Sequence, residues 1–284
     1  MNQNPLTNYS FFMEATEHMI KTVYIEDMNH LYDLLNEQEF RSDLKRNRNL
    51  FVYRGQSDAS FKLTTSLERN CKDKKKELEP CMLRNFTKYA VLDEPSIENS
   101  VWKQMIFGQH HGLPTRLLDW SFSPLIALHF SVTENDLDEM EKRDSVVWRA
   151  DVHELHDLLP EKYIEISRKY NTTVFSVDML SEACESLEMY DKDMGASAML
   201  MIEPPSVDVR IINQYSFFSV VPNDMRDIEG FLDTHTDNTV QYIIKKEIRW
   251  QIRDMLDHQN ISERIVYPGL DGLSRWLGRH YYVR

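Results

Sequence analysis

A chain of 284 residues, 42% hydrophobic and 28% charged, is long enough to bury a substantial core and too apolar to be dominated by disorder. Its 33 Lys and Arg against 46 Asp and Glu leave a formal charge of −13, which argues against broad nucleic-acid binding while leaving room for a local basic groove. The three cysteines, Cys71, Cys81 and Cys184, are odd in number and lack CxxC spacing, so neither a disulfide framework nor a zinc site is expected.

The opening stretch, Met1 to Tyr9, is polar and uncharged, without the basic start and apolar stretch of a secretory signal. No apolar run approaches the roughly 18 residues of a membrane span, and the expectation is a cytoplasmic protein with no membrane partner. Residues 1–20 read as an extension. Lys21 to Ile25 reads as a short strand, after which Asp27 can cap a helix carrying Met28, Leu31, Leu34 and Leu35 on one stripe. Basic residues from Arg41 to Arg48 precede Leu50-Phe51-Val52-Tyr53, a β run that Arg54-Gly55-Gln56 ends. The mixed run Lys72 to Glu77 reads as a solvated loop, and Glu77 to Ala90 as a helix with Leu78, Met82, Phe86 and Tyr89 at helical spacing.

A further helical pattern through Val101, Trp102, Met105 and Ile106 stops at Gly112, with Pro114 two residues on. Thr115 to Trp120 has the length of a strand. Alternation sends Arg116, Leu118 and Trp120 to one face and Thr115, Leu117 and Asp119 to the other. Ser123 can cap and Pro124 can open the next helix, which runs to Phe130. After an acidic surface stretch, Ser145 to Val152 reads as a strand, and His153 to Glu203 as a mainly helical insertion with a Met179, Leu180, Ala183, Leu187 stripe. Glu203-Pro204-Pro205 breaks it. Val207 to Gln214 and Ser216 to Val221 alternate like paired strands around Tyr215, and Thr239 to Lys245 gives another strand. The end is helical, with stripes through Ile248, Ile252, Met255 and Leu256, then Leu270, Leu273, Trp276 and Leu277. Strands scattered among unequal helices, without a regular βα rhythm or an internal repeat, predict an α+β fold. The expected architecture is a central mixed, mainly antiparallel sheet flanked by helices in one domain over residues 21–284.

Three strings carry chemistry. Gln109-His110-His111-Gly112-Leu113-Pro114-Thr115-Arg116-Leu117-Leu118-Asp119-Trp120 gathers two imidazoles, a guanidinium and a carboxylate between regular elements. Its bland reading pairs Arg116 with Asp119 and lets His110 cap helix carbonyls. Tyr53-Arg54-Gly55-Gln56 presents a guanidinium at a strand end beside a glycine that permits close approach, which suits a phosphate or carboxylate. Its bland reading pairs Arg54 with a core acid. Arg210-Ile211-Ile212-Asn213-Gln214 closes a strand with polar groups or is an ordinary turn former. His153 and His156 could share a helix face, but no further ligands can be placed beside them and no metal is expected.

These strings together resemble the FRG domain, a bacterial family named for its Phe/Tyr-Arg-Gly motif, here Tyr53-Arg54-Gly55. Gln109 to Phe130 is similar to the second motif of that family, with His111 where tyrosine is more usual. Pro204 to Phe217, carrying Arg210 and Gln214, fits the third, and Ile265 to Leu273 resembles the closing segment. The order of elements also resembles the ADP-ribosyltransferases of the Arg-Ser-Glu class: a strand ending in Arg54-Gly55, a strand reaching Ser121 before a helix with Ala127 and Phe130, and a strand reaching Gln214. That likeness implies NAD as a cofactor. Arg54 would grip a phosphate with Tyr53, Gly55, Gln56, His110 and Arg116 in support, Ser121 would brace a ribose, and Trp120 or His111 would stack on a ring. Gln214 stands where the likeness calls for a carboxylate, and Asp119 is the candidate substitute, so the catalytic candidates are Asp119, His111 and Gln214.

Three functions stay open on the sequence. The first is an NAD- or nucleotide-dependent transferase or glycohydrolase of toxin or phage-defence type. The second is a non-catalytic module that senses a nucleotide, another small molecule or a protein partner. The third is a hydrolase or nuclease with His110, His111 and Asp119 as acid and base.

Overall fold

Strand alternation assembles one seven-stranded sheet in the computed structural model, which describes residues 20–36, 40–48, 50–206 and 208–283. Its strands are β1 (Lys21–Ile25), β4 (Phe51–Gln56), β5 (Leu117–Ser121), β6 (Ser145–Asp151), β7 (Leu200–Ile202), β8 (Ser216–Val220) and β9 (Val240–Ile244), while β2 (Phe40–Arg41) and β3 (Arg46–Asn47) form a separate small ladder. The order across the sheet is β1-β9-β6-β4-β5-β8-β7. β1 runs parallel to β9 and the other neighbours are antiparallel, so the α+β reading with a mixed, mainly antiparallel sheet holds.

The helices are α1 (His30–Asn36), α2 (Ser66–Cys71), α3 (Lys75–Ala90), α4 (Val101–His110), α5 (Pro124–Ser131), α6 (Val152–Asp157), α7 (Glu161–Tyr170), α8 (Val177–Ala183), α9 (Leu187–Met194), α10 (Val209–Asn213), α11 (Ile228–His235), α12 (Arg249–His258), α13 (Glu263–Val266) and α14 (Leu270–His280). One face of the sheet carries two separate groups of them. On the first half, α1, α5 and α12 bury Leu31, Leu34, Leu128, Ile252 and Leu256 against Ile25, Phe51, Tyr53, Val147 and Tyr242. On the second half, α3, α4, α7, α8 and α9 bury Leu83, Trp102, Met105, Tyr163, Leu180 and Tyr190 against Leu117, Leu200, Phe218 and Val220. The opposite face, with Val52, Leu118, Trp120, Val146 and Trp148, is covered by Leu155 of α6 and Phe231 and Leu232 of α11. Where the two groups meet on the first face, the junction of β4 and β5 borders the cleft described below.

Several sequence expectations are corrected here. β4 continues through Arg54, Gly55 and Gln56, which pair with Trp148, Val147 and Val146, rather than ending at Tyr53. The buried face of α3 is Lys75, Glu79, Leu83 and Ala90, not the stripe from Leu78 to Tyr89, because buried Glu79 answers the buried Arg116. Residues around Arg210 form helix α10 instead of a strand: Asp208 accepts from the Arg210 N–H at 2.6 Å as an N-cap, and this cap outweighs the alternating pattern. The segment expected to be helical from His153 to Glu203 also supplies β7 at the sheet edge. On α14 the expected stripe is largely uncovered, with Leu270 79% exposed.

Buried polar groups pin the last helices to α5. Arg253 of α12 donates to His129 Nδ1 at 2.8 Å and to the Ile261 carbonyl, while Arg279 of α14 forks onto Glu263 and Asp257. His129 and Arg253 are fully buried. Burial and the adjacent guanidinium of Arg253 push the His129 imidazole down to about 3, so it is neutral and accepts from Arg253. Glu263 is held down at about 2: its bond to Arg279 and the charges of Arg253 and Arg279 outweigh burial, the largest and opposing effect.

Candidate functional site

β4 and β5 pair at one position, Tyr53 opposite Ser121, and then diverge. Divergence removes the strand bonds that would follow, and the Arg54 guanidinium takes their place by donating from Nη1 to the Asp119 main-chain carbonyl at 2.7 Å. The same Nη1 lies 3.7 Å from the Asp119 carboxylate, with the arginine side chain 17% exposed and the aspartate 57%. Arg54 Nε is buried without a partner. Burial pulls the Arg54 guanidinium below its ordinary value, Asp119 opposes this and Arg69 adds to it; a guanidinium so placed still carries its charge. A cleft of about 220 Å³ opens at this wedge, lined by Arg54, Asp119, Phe130, Arg210, Gln214 and Ser216 among others.

Each wall has a local cause. Gly55 is required because α5 lies directly on it: a Cβ there would stand 1.8 Å from the Ala127 carbonyl oxygen. The close approach expected at this glycine is therefore that of a helix, which brings Phe130 to the cleft. Gln109, at the end of α4, donates its amide to both Asp119 carboxylate oxygens at 3.0 and 3.1 Å and accepts from the Thr115 hydroxyl at 2.6 Å. Ser121 Oγ donates to the Gln214 carbonyl at 2.7 Å and accepts from the Ser123 N–H at 3.0 Å, tying β5 to the end of α10. Gln214 in turn donates its amide to the Val266 carbonyl at 3.1 Å, and Asn213 donates to the Ile265 carbonyl at 2.8 Å. The closing segment thereby reaches the cleft. Tyr267 lies under two guanidinia, Arg210 at 5.1 Å and Arg275 at 5.2 Å from its ring centre, and faces Phe130 at 6.3 Å. Burial raises its phenol, against the pull of Arg210 and Arg275.

Of the residues singled out in the sequence, Tyr53, Arg54, Gly55, Asp119, Ser121, Arg210 and Gln214 meet at this cleft. The others are placed differently. Arg116 is 2% exposed and is consumed by Glu79 and Asp191: its Nε donates to Glu79 at 2.8 Å and its Nη1 to Asp191 at 2.6 Å. It does not pair with Asp119. The Trp120 indole is in the core with its N–H donating to Ser219 at 3.1 Å, which leaves no ring face free for stacking. Gln56 accepts from the Trp148 indole at 3.0 Å and donates to the Lys62 carbonyl. His110 and His111 line a neighbouring cavity on the far side of α10, away from the Asp119 cleft. His153 sits at the start of α6 with its N–H on Asp151, and His156 bonds the Ser167 hydroxyl. Among the described residues no group of three or more His, Cys, Asp and Glu side chains is placed to hold a metal.

Gln109, Phe130 and Tyr267 belong to the site and were not picked out as functional. Gln109 opened the polar string and its amide had an evident partner type in Asp119. Tyr267 is remote in sequence, and its one signal is its place in the stretch from Ile265 to Leu273 that resembles the family's closing segment.

Residues 49–140 match the model of the FRG domain. That match covers about a third of the chain. The match takes in the Tyr53-Arg54-Gly55 string, Gln109, Asp119 and α5, while Arg210, Gln214 and Tyr267 come from beyond it. No curated protein and no solved structure matches the chain. Among the described residues no helix is long and apolar enough to cross a membrane.

Proposed function

We propose that the cleft beside the FRG motif binds a phosphate-bearing nucleotide, with NAD the first ligand to test. One observation carries this reading: two guanidinia, Arg54 and Arg210, line a small cleft with a single carboxylate, in a chain whose formal charge is −13. Guanidinium forks suit phosphate oxygens, and Arg54 has an N–H without a protein partner. At about 220 Å³ the cleft has room for a ribose phosphate rather than a whole dinucleotide.

Asp119 is the group able to act on such a ligand. A carboxylate beside the anomeric carbon of a ribosyl group stabilises the cationic centre that forms as the glycosidic bond breaks. This supports a transferase or glycohydrolase. Gln214 is neutral and its amide nitrogen holds the closing segment, so it is a positioning residue. A binding-only role has its own support, since Gln109 occupies both oxygens of Asp119.

Titration calorimetry with NAD and ADP-ribose, paired with mass spectrometry for released nicotinamide, tests both readings. Arg54→Ala is expected to weaken binding about tenfold or more, in keeping with loss of a charge-assisted hydrogen bond. Asp119→Asn is expected to keep binding and abolish release. Binding without release in the wild-type protein leaves the sensor reading standing alone. Equal affinity of the wild type, Arg54→Ala and Arg210→Ala sinks the assignment of the cleft.

A further inference from the structure

Across α10 from the FRG cleft lies a larger cavity of about 370 Å³, whose walls include Ile97, Ile106, Phe107, Val177 and Ile211. That volume is within the range of small-molecule sites. Three of its lining rings are neighbours, Phe107 to His111 at 4.6 Å and His111 to His110 at 5.0 Å between centres, each pair edge-on. Its polar lining is Glu94, Ser96, Lys103 and Asp208 beside the two imidazoles. His110 is lowered by burial, with Asp208 opposing and Arg210 and His111 adding, so its ring is neutral at pH 7. Its Nε2 lies 3.7 Å from Asp208, which favours the proton on that nitrogen and leaves Nδ1 an acceptor.

Apolar walls joined by edge-on aromatic rings, with a few donors and acceptors among them, suit a planar ring that itself carries hydrogen-bonding atoms. We propose that this cavity is a second binding site, for a planar heteroaromatic ring of the nucleobase or nicotinamide kind. The two sites share their partition. Gln109 and His110 are consecutive, one on the Asp119 carboxylate and one lining the ring cavity. Asp208 caps α10 with Oδ1 while its Oδ2 faces His110, and α10 carries Arg210 into the cleft. One molecule with a phosphate in the cleft and a ring here, or two separate molecules, satisfies this chemistry. The ring site does not depend on the nucleotide reading of the cleft.

The test uses adenosine and nicotinamide, which carry no phosphate, and pyrophosphate, which carries no ring. Binding of each to the full chain is followed by ligand-observed NMR and calorimetry. His111 and Ser96 are exposed, so His111→Ala and Ser96→Trp, the latter placing an indole over the mouth, disturb the fold little. At least one ring probe is expected to bind, weakened about fivefold or more by His111→Ala, in keeping with loss of an aromatic contact. Ser96→Trp is expected to abolish it, and Arg54→Ala to leave it within twofold. No binding of either ring probe, or binding indifferent to both cavity variants, overturns the proposal. Ring binding without pyrophosphate binding upholds it and counts against the phosphate cleft instead.

Discussion

Arg54 and Arg116 are both guanidiniums drawn from polar motifs, and their surroundings separate them. Arg116 meets two carboxylates, and Asp191 is also held by the main-chain and side-chain amides of Asn223 at 2.9 and 3.0 Å. Removing the cation strands buried acids. Arg116→Met is therefore expected to cost about 3–5 kcal/mol in urea unfolding, the usual penalty for breaking a buried pair from one side. Arg54 meets a carbonyl and a partly exposed carboxylate and keeps an N–H unused, so Arg54→Ala is expected to fall on ligand binding more than on stability. The two were not separable by sequence. A polar string names the residue types brought together, but Glu79 and Asp191, which consume Arg116, sit 37 and 75 positions away.

Among elements, the contact of α5 with β4 sets the depth of the cleft. The missing side chain at Gly55 admits the helix, and what a Cβ would strike is backbone at Ala127 and Ser131, which cannot rotate aside. Gly55→Ala is expected to destabilise by about 3 kcal/mol, at the upper end for overpacking, read as a lowered melting temperature. It should also shift Phe130 and weaken ligand binding. Regular elements were legible where local chemistry sufficed: Lys21–Ile25 appears as read, Asp27 takes the N–H groups of Asn29 and His30, and Pro124 opens α5. α10 was misread because its residues alternate like a strand. Its helix is fixed by the Asp208 cap and by the bonds of Asn213 and Gln214 to the closing segment, which no local pattern encodes.

At the scale of the whole molecule, the buried network joining α5 to α12, α13 and α14 makes stability depend on acid. His129 is about 3 in the folded chain against an ordinary 6.5, so below pH 6.5 the unfolded chain takes up a proton that the native one refuses. Stability is complete above that value and falls as pH drops toward 3. The loss between pH 6.5 and pH 5 is expected to be about 2 kcal/mol, measured by denaturant unfolding across that range. Glu263, held near 2, adds a further loss as pH falls from 4.5. His129→Asn, which keeps an acceptor for Arg253, should flatten the first window and leave the second. The sequence conveyed the sheet class and the gathering of Arg54 and Asp119, but not this network, whose members pair over separations of up to 124 residues.

The single pairing between β4 and β5 bears on where a folding unit can begin and stop. Residues 49–140 contain both strands but omit β6, which pairs with β4 along its whole length, and β8, which does the same for β5. A gene fragment cut to those bounds would hold two strands touching at one point, without Arg210 or Tyr267. The Tyr53-Arg54-Gly55 string therefore depends for its place in the sheet on strands that lie outside the matched residues.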